Sequence, residues 1–84
     1  NNQNFIVANK IATNLIKFKK SLKNKKNLEN LIRNKNYELK KNFKIKIDYL
    51  ELRKKRDLKN SKYLSNSKLF IAYYIGGIRL IDNF

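Results

Sequence analysis

The sequence predicts an α+β fold in which two N-terminal helices pack on a small three-stranded antiparallel sheet that ends in a β-hairpin. In the first half of the chain, apolar residues recur every three or four positions, which is the period of an amphipathic helix. From Phe43 they alternate with polar residues, which is the period of a strand. Near the C-terminus, two runs of β-branched and aromatic residues flank Gly76-Gly77, and such a pair suits a tight two-residue turn.

The first helix is predicted over residues 5–22, after a polar lead-in, residues 1–4, that has no structural pattern. Its apolar stripe advances in steps of three and four through Ala8, Ile11, Ala12, Leu15, Phe18 and Leu22. A helix lying on a membrane surface would have a similar stripe, but we expect this one to face the core of the protein. Residues 23–27 then form a linker of Lys and Asn.

The second helix is predicted from residue 28 to about residue 41, with its apolar positions at Leu28, Leu31, Ile32 and Leu39. Asn27 is expected to act as the N-cap, because an Asn side chain there can accept a hydrogen bond from the first turn. Glu29 in the first turn and Lys40-Lys41 in the last turn both suit the helix dipole.

The first strand is predicted over residues 43–52, where Phe43, Ile45, Ile47 and Tyr49 alternate with polar residues. Leu50 and Leu52 then fall on the opposite face. Two explanations remain open: the end of the strand is buried on both sides, or a β-bulge changes its phase. Asp48 and Glu51 point to opposite faces of a regular strand, so we predict ion pairs with neighbouring lysines and no paired acid–base or metal site.

Residues 53–62 are predicted to form a charged connection with one helical turn, in which Leu58 serves as the apolar anchor. Residues 63–68 lead from this connection into the final hairpin.

The hairpin is predicted to have strands over residues 69–75 and 78–83, joined by Gly76-Gly77. In that register Ile75 faces Ile78, Tyr73 faces Leu80, Ile71 faces Asp82, Ala72 faces Ile81 and Tyr74 faces Arg79. We predict that the core face carries Leu69, Ile71, Tyr73, Ile75, Ile78, Leu80 and Phe84. On the other face, the Arg79 guanidinium is expected to lie over the Tyr74 ring.

The composition of the 84-residue chain limits the functions that it can support. Without Cys or His it can form no disulfide, thiolate metal site or imidazole catalyst. The sequence also contains no nucleophile–base set, no glycine-rich phosphate loop and no apolar run long enough to span a membrane. We therefore assign no catalytic, cofactor-binding or metal-binding residue.

The net charge of +15 has two interpretations. A strong excess of Lys and Arg is typical of proteins that bind nucleic acid. The codons of an AT-rich genome would also produce many Lys, Asn and Ile residues without any selection for phosphate binding. The arginines are only Arg33, Arg53, Arg56 and Arg79. Because specific recognition of bases relies heavily on arginine, we favour compositional drift.

Two segments resemble the C-terminal end of the pantothenate synthetase (pantoate–β-alanine ligase) family. They read IDYLEL at residues 47–52 and KLFIAYYIGGIRLIDN at residues 68–83, in the family's order and at roughly its spacing. The family-motif residues, to which we assign structural roles, are Asp48, Tyr49, Glu51, Gly76, Arg79, Asp82 and Asn83. The rest of the match falls on Ala72, Leu80 and Ile81, and residues 11–15 resemble the helix that follows the family's nucleotide-binding loop.

The resemblance implies a place in a cytoplasmic ligase that condenses pantoate and β-alanine to pantothenate, a coenzyme A precursor. That enzyme uses ATP together with Mg²⁺. The reaction passes through a pantoyl-adenylate intermediate and converts the ATP to AMP and diphosphate. Residues 1–84 would form its C-terminal lid domain over the ATP site of an N-terminal nucleotidyltransferase domain, which lies outside this sequence and is the expected partner. Asn1 or Asn2 would be the last trace of the phosphate-binding loop.

The catalytic histidines of the family belong to its N-terminal domain, so the resemblance implies that the isolated chain is inactive and binds no cofactor alone. Neither a membrane nor a nucleic acid is expected as a partner. The alternative hypothesis is a small basic RNA-binding or ribosome-associated protein. That hypothesis explains the charge but treats both motifs as coincidence.

Overall fold

A computed structural model describes residues 2–84. The elements in chain order are α1 (Asn2–Ser21), α2 (Leu28–Phe43), β1 (Lys46–Lys54), β2 (Ser67–Ile75) and β3 (Ile78–Asn83). The strands form one sheet in the order β1-β2-β3, and both neighbouring pairs are antiparallel. The predicted α+β class, with two helices followed by a three-stranded sheet and a terminal hairpin, is confirmed.

One core joins the two helices to one face of the sheet. Its buried residues are Ile11, Leu15, Leu22, Leu28, Ile32, Leu39, Ile47, Leu50, Leu52, Leu69, Ile71, Tyr73 and Ile75. Each element contributes the residues that its period places on one side, because burying a large aliphatic side chain stabilises a fold by about 1.5–3 kcal/mol. We call the sheet surface that bears these residues the core face.

Helix α1 begins at Asn2, within the segment for which no structure was expected, and Asn1 lies outside the described residues. The predicted stripe lies in the core: Ile11, Leu15 and Leu22 are buried, while Ala8 and Phe18 pack against the core from its margin. The interpretation of the stripe as a core surface is therefore confirmed.

Helix α2 is held against α1 by Lys35. Its ammonium group donates a hydrogen bond to Asn14 Oδ1 over 3.0 Å and lies 5.0 Å from the centre of the Phe18 ring. The same group forms an ion pair with Glu38. Lys35 thus connects the polar margins of the two helices while its ammonium stays paired.

The predicted ends of α2 need two corrections. Asn27 occupies the N-cap position, but its φ of 56° is left-handed and its side chain makes no capping hydrogen bond. A side-chain cap requires the extended backbone that this φ excludes. At the other end, α2 continues through Phe43, and Lys44 ends it in the left-handed conformation at φ 52°. Phe43 is therefore helical, and the first strand begins at Lys46.

A β-bulge at Asp48 decides between the two explanations for the phase change in β1. Ile47 pairs with Tyr73 and Tyr49 pairs with Ala72, so Asp48 has no partner in the register. The extra residue returns Leu50 and Leu52 to the core face beside Ile47, and all three are buried.

The connection between β1 and β2 does not use Leu58 as its anchor. Leu58 is 53% exposed with φ at 62°, because it ends a single turn closed by its N–H donating to Lys54 O over 2.9 Å. Leu64 packs against the core instead. The Ser61 N–H donates to Leu52 O over 2.8 Å, so the connection also covers part of the outer edge of β1.

The terminal hairpin has the predicted register throughout, from Ile75 opposite Ile78 to Ile71 opposite Asp82. Gly76 and Gly77 have φ values of 55° and 80°, as a primed turn requires. One expected core residue differs: Ile78 is 57% exposed. It lies beside the turn on the edge strand, where the end of the sheet leaves it in solvent.

Candidate functional site

The two sequence motifs meet on the sheet surface that points away from the helices, which we call the open face. Because side chains alternate along a strand, this face carries the residues that are offset by one from the core positions. They are Lys46, Tyr49, Glu51 and Arg53 from β1, Lys68, Phe70, Ala72 and Tyr74 from β2, and Arg79, Ile81 and Asn83 from β3.

An ion pair links the first motif to the second. Arg79 Nε donates to Asp48 Oδ2 over 2.9 Å, although the two residues lie on opposite edge strands. The bulge makes this contact available, because it directs the Asp48 side chain to the open face. The hydrogen bond to Asp48 raises the pKa of the Arg79 guanidinium, which therefore stays charged.

A second cluster surrounds Arg53 on the same face. Its guanidinium carbon lies 4.6 Å from the centre of the Tyr49 ring and 5.5 Å from that of Phe70. Its Nε and Nη2 atoms lie 2.9 Å and 2.8 Å from Glu51 Oε2. Stacking and ion pairing thus hold Arg53, Tyr49 and Glu51 as one unit.

These two clusters correct two expectations about the carboxylates. Asp48 and Glu51 both reach the open face, whereas a regular strand would have separated them. Their partners are Arg79 and Arg53, not the neighbouring lysines that were expected.

The cation over the Tyr74 ring also differs from the expectation. Lys46 Nζ lies 5.4 Å from the ring centre, across the β1–β2 pair. Arg79 faces Tyr74 in the register as predicted, but its guanidinium is bonded to Asp48. The Arg79 guanidinium therefore pairs with a carboxylate and not with the aromatic ring, because a hydrogen bond between two charged groups is the stronger interaction.

The remaining motif residues lie near the hairpin turn and along β3. A Cβ atom added at Gly76 would lie 2.6 Å from Asn4 Nδ2, so this glycine lets the first turn of α1 approach the hairpin. Asp82 Oδ1 accepts a hydrogen bond from the Asn83 N–H over 2.8 Å. Asn83 Oδ1 accepts one from Lys68 Nζ over 3.3 Å.

Asp82 also acts on a buried tyrosine in the core. Burial raises the pKa of the Tyr73 hydroxyl, and the negative charge of Asp82 raises it further. The Tyr73 hydroxyl is therefore neutral at physiological pH. Like the other motif residues, Asp82 interacts with groups of its own domain.

Two partners of motif residues, Arg53 and Asn4, were not predicted from the sequence. Arg53 stands two positions after Glu51, and the period of a strand would have placed both on one face. Asn4 lies 72 positions before Gly76, and no local signal connects them.

On the open face, Asp48 is paired with Arg79 and Glu51 is paired with Arg53. Within residues 2–84, no group of three His, Cys, Asp or Glu side chains could hold a metal ion. A cleft of about 490 Å³ runs between α2 and the outer edge of β1, where Glu29, Arg33 and Lys62 are among its lining residues. In the described part of the chain, neither helix has the length and apolar character needed to cross a bilayer.

Comparison with known proteins assigns the chain to a family. A family model described as pantoate-beta-alanine ligase matches residues 2–84, so the match includes both motifs and the helices before them. Neither the curated proteins nor the solved structures contain a match. The paired Asp48 and Arg79 come from the two segments that carried the resemblance. The chain belongs to the pantoate-beta-alanine ligase family.

Proposed function

We propose that residues 1–84 act as the C-terminal lid domain of a pantoate–β-alanine ligase, over the ATP site of an N-terminal nucleotidyltransferase domain. In this role the chain supplies a closing surface, and the partner domain supplies the groups that react. The family membership supports the ligase reaction, and the surface of the domain supports its role as a lid.

The observation that carries this proposal is an exposed apolar surface at one end of the molecule. The Asn4–Gly76 approach brings the first turn of α1 to the hairpin turn. Phe5 and Ile6 follow Asn4, and Ile78 follows the turn; each has more than half of its surface in solvent. We call Phe5, Ile6 and Ile78 the apolar end. Exposed apolar patches mark interaction sites, and a domain joined to the N-terminus of α1 would lie beside this one.

The motif residues do not form a site for the ATP and Mg²⁺ that the family reaction needs. Gly76-Gly77 joins two strands and precedes no helix, so it cannot direct helix amides at a phosphate. Of the carboxylates, Asp48 and Glu51 are already paired with arginines. We therefore place ATP and Mg²⁺ in the partner domain and derive no step of the reaction from this chain.

The alternative of an RNA-binding protein has less support from the open face. Stacking on bases needs free ring faces. Arg53 lies over both Tyr49 and Phe70, and Lys46 lies over Tyr74. A base would have to displace these cations, so the rings serve the sheet itself.

A fusion experiment tests the proposal. The 84 residues are joined to the N-terminal nucleotidyltransferase domain of an active family member, and pantothenate formation is measured from ATP, pantoate and β-alanine. We expect activity from the fusion and none from either part alone. Pantothenate formation by the 84-residue chain alone would contradict the proposal.

Two matched substitutions in the fusion test the apolar end. Ile78 and Ile81 lie on β3 with exposures of 57% and 59%, but only Ile78 belongs to the apolar end. We expect Ile78→Ser to lower kcat/KM for ATP by roughly tenfold, a loss equivalent to about 1.4 kcal/mol, and Ile81→Ser to leave it nearly unchanged. Equal effects of the two substitutions would show that the apolar end is not the docking surface.

A further inference from the structure

A pocket lined by lysines lies at the C-terminal end of α1, remote in sequence from the family motifs. Its volume is about 410 Å³, and its lining residues are Ile16, Lys19, Lys20, Lys23 and Leu64. Ile16 and Leu64 form apolar walls, and lysine side chains can extend their aliphatic stems along such walls while keeping the ammonium groups in water. We call this feature the lysine pocket.

Further positive charge lies close to the lysine pocket. Burial lowers the pKa of Lys19, and the charges of Lys55 and Lys68 lower it further. Lys55 follows the end of β1, and its N–H donates to Asn66 O over 2.9 Å. The fold therefore brings lysines from α1, the connection and β2 to one region of the surface.

Among the described residues, no carboxylate forms a salt bridge with a lysine of the pocket. In residues 2–84, the ion pairs involve Lys35, Arg53, Arg56 and Arg79, none of which lines the pocket. The C-terminus of α1 carries only about half an elementary negative charge, and this acts over a single turn. Within residues 2–84, the lysine pocket is thus a mainly apolar hollow whose lysines form no salt bridge with a carboxylate.

Compositional drift alone does not account for this arrangement. Lysines added without selection would be expected mainly at exposed positions, where their side chains can separate in water. Lys19 is instead half-buried, and its pKa is lowered first by burial and then by the charges of Lys55 and Lys68. A bound anion would act against that lowering of the pKa.

We propose that the lysine pocket binds a chain of linked phosphate groups, either free inorganic polyphosphate or the triphosphate of a nucleotide. Linked phosphates carry several negative charges within a few ångströms, so one ligand can contact ammonium groups on different elements. A single carboxylate could compensate only one of them. Lysine binds phosphate as a compact point charge, and the pocket volume is within the range of small-molecule sites. The proposal is independent of the lid role.

Calorimetric titration of the 84-residue chain with inorganic tripolyphosphate tests this site. The double variant Lys19→Gln/Lys23→Gln removes two pocket charges. Its matched control, Lys10→Gln/Lys17→Gln, removes two exposed charges from α1 that do not line the pocket. We expect the pocket variant to bind tripolyphosphate about tenfold more weakly than the original chain does. The control variant should lose less than about twofold in affinity, since an isolated surface charge contributes little.

Folding and ligand source are checked in the same series. Circular dichroism verifies that each variant is folded, and Lys55→Gln, which alters the connection and not α1, should also weaken binding. Titration with cytidine triphosphate separates the two sources: tighter binding than tripolyphosphate indicates a nucleotide, and weaker binding indicates inorganic polyphosphate.

Three results would overturn the proposal. The first is no measurable binding of either phosphate compound. The second is equal weakening in the pocket and control variants, which would show that only the net charge matters. The third is tighter binding of a single-stranded thymidine oligonucleotide that the pocket substitutions weaken, which would make the site a nucleic-acid interface.

Discussion

The two turn glycines provide a sharp test, because they share a backbone conformation and differ in their surroundings. Both have positive φ, at 55° for Gly76 and 80° for Gly77. A Cβ at Gly76 would lie 2.6 Å from Asn4 Nδ2, whereas a Cβ at Gly77 would have no atom of a described residue within 4 Å apart from its chain neighbours. Alanine at Gly77 therefore measures only the cost of a positive φ for a residue with a Cβ atom. Alanine at Gly76 measures that cost together with the effect of the contact with α1.

The expected magnitudes follow from these two contributions. A left-handed backbone costs an L-residue about 1–2 kcal/mol, so Gly77→Ala should lower the free energy of unfolding by about that amount. Overpacking adds about 1–3 kcal/mol, which brings the cost of Gly76→Ala to roughly 2–5 kcal/mol. The β-branched Gly77→Val should cost roughly 1–3 kcal/mol, within the range for a sparsely populated backbone region.

Urea unfolding followed by circular dichroism measures these differences. A double-mutant cycle with Asn4→Ala isolates the contact, because it subtracts whatever Asn4 contributes through its other interactions. We expect Gly76→Ala to cost less in the Asn4→Ala background than in the original chain. If Gly77→Ala proves as costly as Gly76→Ala, or if Asn4→Ala leaves the cost of Gly76→Ala unchanged, the proposed close approach of α1 and the hairpin is wrong.

Three further outcomes are expected from the charges and the buried tyrosine. In a double-mutant cycle monitored by thermal unfolding, Asp48→Asn and Arg79→Lys should show a small favourable coupling, and additive effects would mean that the pair adds no stability. The pKa of Tyr73 is raised in the folded state. Its contribution to the free energy of unfolding is therefore complete below the unfolded tyrosine pKa of about 10, and it is lost as pH rises through the folded pKa. Absorbance titration at alkaline pH, with Tyr73→Phe as control, should therefore reveal one late-ionising tyrosine; its absence would contradict this assignment. Added salt should raise the melting temperature by screening the +15 net charge, and a salt-insensitive transition would show that self-repulsion does not limit stability.

The candidate site was only partly predictable from the sequence. The motif positions, including Asp48 and Arg79, were identified by their order and spacing, and Tyr74 was correctly placed opposite Arg79. The partner of each charged residue was not identified. A pattern of period two describes one strand at a time, whereas an ion pair between the edge strands depends on the bulge and on the register of two strand pairs.

The helices, the strands and the hairpin could be predicted from the sequence alone, because they depend on interactions between residues that are close together in the chain. Apolar periodicity sets which side of an element is buried, and Gly76-Gly77 sets the register of β2 and β3, because both effects act within a few residues. Only the tertiary structure decided the end of α2 at Phe43, the exposure of Ile78 and the convergence of lysines near Lys19. Each of these depends on which distant segments come into contact, and such contacts leave no local pattern in the sequence.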